Sequence, residues 1–422
     1  MEDGQKLLVG FDLCNDFSQM ACYNYRTFEP ESIGETLSEE QYLIPTALGV
    51  TTTKKKWIYG AEAIELANRK EAVLVSNIIE TIERREKISI YDVTFTGGEL
   101  LERFLRKCFT LLRKAYPDES IQRIVFTVKE PDSPLRDALR EALNKLGIGE
   151  ERYEIQSHKK SYLLYAFNQK RELWADDIGL FDFNESGFKY VQITINRNAR
   201  SVIAGTREKD FSEYLNMHIL RDPDSDEKKR YLLEDIIKSA LHNQIISTVY
   251  FTGTGFDGDW ADDLIASLCT GRRVFKGQNL YVKGACYEAR EHTRKSKSEE
   301  ILFLTDEVLE SDILINVYSE ARMSEVYLAR AGEPWYNLSR RLDVILDDEE
   351  EIEITVRNVL TGKETKQIIA LEGIISNCEK RTRVQIRTKC EDKKTCVITV
   401  KDLGFGEFFR TSNRIWEERI HL

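Results

Sequence analysis

Near its start the chain carries an apolar run, Leu7-Leu8-Val9-Gly10-Phe11, that stops at Asp12. Polar turn chemistry follows around Cys14-Asn15-Asp16, and an alternating run resumes at Phe17, Gln19, Ala21 and Tyr23. This pattern predicts a strand, a tight turn and a second strand, with Asp12 at the rim of the hairpin. It returns at Ile178-Gly179-Leu180-Phe181-Asp182, with Asn184-Glu185-Ser186-Gly187 as the turn and Phe188 to Ile193 as the returning strand. Asp182 holds the place of Asp12. An aspartate at a strand end is also ordinary turn chemistry, so the pattern alone is equally met by two plain hairpins of an α/β sheet.

Elsewhere in the first three hundred residues the helical period dominates. Ala72, Leu74, Val75, Ile78, Ile79 and Ile82 are spaced for one helix; Leu100, Leu101, Phe104, Leu105, Cys108, Leu111 and Leu112 line the broad apolar face of another, over residues 98–116. A buried strand is predicted at Ile121–Val128, then a helix with Pro134 at its start and Gly147 at its stop. Further on, residues 210–220 and 231–242 are read as helices around a polar loop at 221–230. A buried strand at 245–251 then runs into Thr252-Gly253-Thr254-Gly255, and a helix is predicted at 261–269. From Asp312 the pattern changes to period 2, as in Ile313, Ile315 and Val317, Ile352, Ile354 and Val356, and Val384 and Ile386. An all-β region is therefore expected there, with the acidic run Asp347 to Glu351 as a solvated turn.

Composition narrows the class. With 422 residues, 41% hydrophobic and 32% charged, the chain has room for two or three ordinary globular cores. No basic segment leads an apolar stretch at the N-terminus and no apolar run approaches membrane-spanning length, so a cytoplasmic protein without a membrane partner is expected. The eight cysteines, Cys378, Cys390 and Cys396 among them, form no C-x-x-C pair and read as reduced thiols. The five histidines are scattered, which speaks against a metal site on spacing alone, and a net charge of −11 argues against nonspecific nucleic-acid binding.

Two Asp-tipped hairpins, one opening each half, resemble the phosphate loops of the actin, sugar-kinase and Hsp70 ATPase superfamily, and the Hsp70 branch is the most similar. The similarity continues through the strand that ends at Pro45-Thr46, the strand, glycine and helix of Trp57-Ile58-Tyr59-Gly60-Ala61, and the proline loop Val128-Lys129-Glu130-Pro131. It goes on through Gly253-Thr254-Gly255, a helix expected to start at Gly284-Ala285, and strands around Leu371-Glu372-Gly373-Ile374 that follow the order of the Hsp70 peptide-binding domain. The resemblance implies an α/β actin-like two-lobed ATPase fold followed by an all-β sandwich. Its bounds would be 1–295 (lobes about 1–175 and 176–295), a linker at 296–306 with a charged run through Lys295, Lys297, Glu299 and Glu300, and 307–422. It also implies ATP or ADP with Mg2+, cradled by the backbone of Leu13, Cys14, Asn15, Asn184, Ser186, Gly187, Gly253, Thr254 and Gly255. Asp12 and Asp182 would be the metal-organising and candidate catalytic carboxylates.

Departures from that family pattern bear on function. Ser157 and His158 stand where the family has a glutamate that orders metal-bound water, and the interval around 210–241 is too short for the subdomain that grips adenine. Both turns have gained an acid, Asp16 and Glu185, and neither contains a lysine or arginine. A carboxylate about 4 Å from a phosphate charge costs on the order of 4 kcal/mol at an effective dielectric of about 20. That is roughly a thousandfold in affinity. No counterpart of the family's catalytic lysine falls in residues 71–86, and Lys70 is a poor substitute. The expectation is a pseudo-ATPase that binds a protein or peptide partner as a regulatory module; the alternative is a slow ATP-dependent chaperone with a reduced pocket. A filament subunit is disfavoured by the appended β region.

Overall fold

A computed structural model describes residues 6–34, 42–198, 201–293, 301–347, 349–374, 381–406 and 410–422. It is mixed α/β through the first three hundred residues and all-β thereafter. The chain divides into two compact units, one of residues 1–192 and 208–298, the other of residues 193–207 and 299–422.

Two sheets of similar plan organise the first unit. In one, the strand Leu7–Leu13 lies between Ile121–Val128, to which it runs parallel, and its hairpin partner Phe17–Asn24, to which it runs antiparallel. Tyr153–Ser157 extends the sheet beyond Ile121–Val128. In the other, Asp177–Asn184 lies between a parallel Ile246–Thr252 and its hairpin partner Gly187–Asn196, with Arg273–Lys276 beyond. Leu7–Leu13 is buried along its whole length and Asp177–Asn184 along most of it, as apolar runs with a strand on either side should be.

Helix Gly97–Ala115 covers the first sheet, with Thr96 and Glu99 forming a capping box at its start and Leu100, Leu101, Phe104, Leu105 and Cys108 wholly buried. Helix Leu280–Glu291 matters most for the site. A Cβ on Gly10 would stand 2.3 Å from the Val282 carbonyl oxygen, and one on Gly284 would stand 1.9 Å from the Ser161 carbonyl oxygen. The two glycines let this helix sit directly on strand Leu7–Leu13 and against helix His158–Phe167.

Several elements depart from the pattern-based reading. Ala72–Val75 is a strand paired with Leu48–Thr51 and only Ile78–Glu83 is helical, because the left-handed Asn77 (φ 56°) separates them. Ile203–Asp210 is a strand, so the helix expected over 210–220 shrinks to Met217–Arg221; the next helix, Asp226–Leu241, starts inside the expected polar loop. Gly284-Ala285 lies within helix Leu280–Glu291 and not at its start.

In the second unit, Leu302–Leu304 is a strand parallel to Ile203–Gly205, so the stretch expected as a linker contributes to a sheet. Two four-stranded sheets follow. Their inward residues, among them Ile313, Ile354, Val384, Ile386, Ile398 and Ile420, share one apolar core. Cys390 and Cys396 face each other across strands Arg381–Asp392 and Thr395–Gly404 and form a disulfide, which corrects the expectation of reduced thiols at that pair. The charged run through Lys295, Lys297, Glu299 and Glu300 lies outside the described residues, as do Asp348 and Cys378. Among the described residues no helix is long and apolar enough to cross a membrane.

Candidate functional site

Asp12 and Asp182 occupy the same register in the two sheets. Asp12 stands beside Thr127 on its parallel neighbour, and Asp182 beside Thr252 on its own. Each carboxylate then meets a different side chain from a distant segment. Asp12, 5% exposed, accepts a hydrogen bond on Oδ1 from His158 Nε2 at 2.8 Å. Asp182 accepts one on Oδ2 from the Tyr281 hydroxyl at 2.7 Å and one on Oδ1 from Asn184 Nδ2 at 2.8 Å. The His158 and Tyr281 rings stack at 4.0 Å, with their planes nearly parallel at 9°. A bridge of two rings therefore joins the two aspartates.

The local fold explains the bridge. His158 is the first residue of a helix capped by Ser157, whose hydroxyl accepts from the Lys160 backbone N–H at 3.2 Å. Tyr281 sits in the first turn of helix Leu280–Glu291, held close by Gly10 and Gly284. The end of helix Leu280–Glu291 is tied to the start of helix His158–Phe167 and the strand before it: Lys160 Nζ lies 2.8 Å from Glu154 and 2.9 Å from Glu288, and His292 Nε2 lies 2.7 Å from Glu154.

Burial governs the site's ionisation. It pushes the Asp182 carboxyl above its ordinary range, against the hydrogen bonds from Tyr281 and Asn184. Burial, followed by the nearby Asp12, Asp16 and Asp182 charges, pushes the Cys14 thiol well up. Cys14 Sγ lies 3.6 Å from Asp12 Oδ1 and 3.7 Å from His158 Nε2.

The loops expected to cradle phosphate are largely closed on themselves. Asp16 Oδ1 accepts from the Phe17 N–H at 2.8 Å, and Asn184 Oδ1 accepts from the Ser186 N–H at 2.9 Å. Asn15 Oδ1 accepts from the Glu80 N–H at 3.3 Å. In the third loop the Gly253 N–H donates to Gln278 Oε1 at 2.9 Å, and Gln278 Nε2 returns a bond to the Gly253 carbonyl at 2.9 Å. Gly253 adopts φ 98° with Phe183 backbone against its Cα, and Gly255 packs under the Phe183 ring.

Leu13, Cys14, Asn15, Asp182, Asn184, Ser186 and Gly187 line one cleft of about 420 Å³, together with Asp16, His158 and Lys129. Asp12, Gly253 and Thr254 line a smaller hollow that also takes in Cys14, His158, Asp182, Gln19 and Tyr281. Gly255 is buried and lines neither. The expectation that no cation offsets the turn acids holds along the sequence and fails in space. Arg221 pairs with Glu185, and Lys129 Nζ reaches the Ser186 carbonyl at 3.4 Å. Lys189 also lines the cleft but is paired with Glu208.

Sequence reasoning placed His158 as a replaced glutamate without giving it a partner, and it missed Tyr281, Gln278 and Lys129. The available signal was His158 directly following a strand of the same sheet as Asp12. Asp12, Cys14 and His158 bring their donor atoms within 4.8 Å of one another, as do Glu154, Glu288 and His292. In the second group the Lys160 ammonium already supplies the positive charge.

Fold and site define the class first: a mixed α/β protein with a carboxylate-lined cleft, followed by an all-β region. Over residues 29–306 the chain matches the Family of unknown function (DUF5716) C-terminal, and it belongs to that family. Residues 308–422 match a Domain of unknown function (DUF8552). The family match takes in His158, Asp182 and Tyr281 and begins after Asp12 and Cys14. No curated protein matches the chain.

Proposed function

We propose that this protein is a divergent Hsp70-like member of the actin, sugar-kinase and Hsp70 superfamily whose cleft has given up ATP turnover. In this reading it works in the cytoplasm as a protein- or peptide-binding module, with the all-β region contributing the binding surface. Support for the two-lobed actin-like arrangement comes from the two sheets of similar plan, each with an aspartate beside a threonine at the same register. The observation that carries the loss of turnover is the bridge: His158 holds Asp12 at 2.8 Å and Tyr281 holds Asp182 at 2.7 Å. Oxygens that would order Mg2+ and its waters are engaged by side chains, and the Gly253 amide that would face phosphate is engaged by Gln278. These residues do not fit Mg-ATP.

A second reading, a slow ATP-dependent chaperone, is favoured by Lys129, whose ammonium lines the cleft, makes no ion pair among the described residues and supplies a charge the turns lack. Phosphate release from millimolar Mg-ATP separates the two. The first reading expects no release above a protein-free control, and the second expects release that Asp182→Asn and Lys129→Ala each abolish.

A further inference from the structure

We propose that Asp12, Cys14 and His158 form a three-donor site for a borderline-soft divalent metal, Zn2+ foremost, in the smaller hollow that shares Cys14, His158 and Asp182 with the cleft. The site names a ligand for that hollow and rests on the reading that nucleotide turnover has been lost between the two hairpins. Donor chemistry is the first ground. Thiolate and imidazole favour Zn2+ and disfavour Mg2+, which takes oxygen ligands, so the set that spoils a Mg-nucleotide site makes a zinc site. The Asp12 carboxylate and a Cys14 thiolate together balance a dication, and binding releases the thiol proton.

Geometry is the second ground. With bonds of about 2.0 Å to nitrogen and oxygen and about 2.3 Å to sulfur, a tetrahedral ion sets donor separations of roughly 3.3 to 3.6 Å. Cys14 Sγ stands 3.6 Å from Asp12 Oδ1 and 3.7 Å from His158 Nε2. The third edge, 2.8 Å between His158 Nε2 and Asp12 Oδ1, is a hydrogen-bond length and opens by about half an ångström when a metal replaces the proton. The stack on Tyr281 fixes the imidazole plane.

A third ground is independent of the donors. Gln19 lies directly opposite Asp12 across the hairpin, is 6% exposed and lines the same hollow. Its Oε1 is buried and has no hydrogen-bond partner among the described residues, while its Nε2 is spent on the Gln278 carbonyl. A buried orphan acceptor is costly, and a water on the metal's fourth position would donate to it. Three protein donors and one open position is the pattern of a reactive rather than a purely structural zinc site.

The test uses full-length protein stripped with a chelator and titrated with Co2+ alone, then with Zn2+ as competitor. We expect one equivalent of Co2+ bound with a thiolate-to-cobalt charge-transfer band, displaced by Zn2+. Cys14→Ser should abolish the band, and His158→Ala should weaken binding at least tenfold. His292→Ala and Cys269→Ser should leave both readouts unchanged. Far-UV circular dichroism confirms that each variant is folded, and His158→Cys, which keeps a donor, should retain the band. Absence of the band in wild-type protein, or its persistence in folded Cys14→Ser, overturns the site. Phosphate release is measured separately without transition metal, so failure of the metal site and failure of the pseudo-ATPase reading give different results.

Discussion

The hairpin ending at Asp12 and the hairpin ending at Asp182 share strand order, a parallel neighbour and a threonine beside the aspartate, yet their tips are finished with different chemistry. At the first tip stand an imidazole and a thiol, His158 and Cys14; at the second, a phenol and an amide, Tyr281 and Asn184. The difference teaches where function resides in such a frame. Strand pairing sets where the carboxylates stand, and two helices decide what they can do.

The comparison breaks most severely if the helix carrying Tyr281 is moved. Gly284→Val would drive a side chain into the Ser161 carbonyl, only 1.9 Å from the position of a Cβ. The expected loss is at least about 3 kcal/mol by urea denaturation, because backbone cannot yield as a side-chain end can. A loss under about 1 kcal/mol would mean that the helix does not pack as described.

Next in size is the tie between the end of helix Leu280–Glu291 and the start of helix His158–Phe167. Burial would raise the Glu288 carboxyl, but the His292 hydrogen bond and the Lys160 charge bring it down to about 2. A depressed folded value stabilises the protein above the ordinary carboxyl range. This contribution, about 3 kcal/mol, is lost as pH falls from about 4.5 through about 2. His292 has the opposite sign: its hydrogen bond to Glu288 raises it above its ordinary value, so its contribution is present at low pH and fades as pH rises through that raised value. Denaturation midpoints of wild type and Glu288→Gln across pH 2 to 8 should converge at the acid end. Parallel curves would remove the tie from the account.

Tyr281→Phe sharpens the contrast between the tips. It removes one donor from Asp182 and leaves the rings able to stack, at an expected cost of about 2 kcal/mol. Amide hydrogen exchange should quicken around residues 182–186 and remain unchanged around 12–17. Equal quickening at both tips would show that the hairpins are not independently finished.

The smallest effect is expected where the sequence suggested a large one. Removing the turn acids with Asp16→Gly and Glu185→Gly should leave the protein without measurable Mg-ATP binding by calorimetry, as in the wild type. Glu185 is already paired with Arg221, and the His158, Tyr281 and Gln278 contacts persist in the variant.

What was legible follows from the range of the forces involved. Hairpin partners are neighbours in sequence, so the period-2 patterns around Asp12 and Asp182 and the switch to strands after Asp312 could be read directly. The helix Gly97–Ala115 was equally plain, since one face carries its apolar residues. Ala72–Val75 misled because a short apolar run fits either period, and only its pairing with Leu48–Thr51 settles it as a strand. The site resisted for a different reason. His158 and Tyr281 come from segments far from either hairpin, and nothing in local spacing announces that two glycines will bring their helices together. The disulfide of Cys390 and Cys396 hid for another reason: its partners are only six residues apart, but the strand register decides that they face each other.

The central claim is that side chains of the protein itself close the cleft to Mg-nucleotide, and thermal unfolding with and without millimolar Mg-ATP tests it most directly. Ligand bound to the native state raises the midpoint by mass action. The account predicts no shift with ATP or ADP in wild-type protein. A clear upward shift, accompanied by hydrolysis and lost in Asp12→Ala, would contradict it.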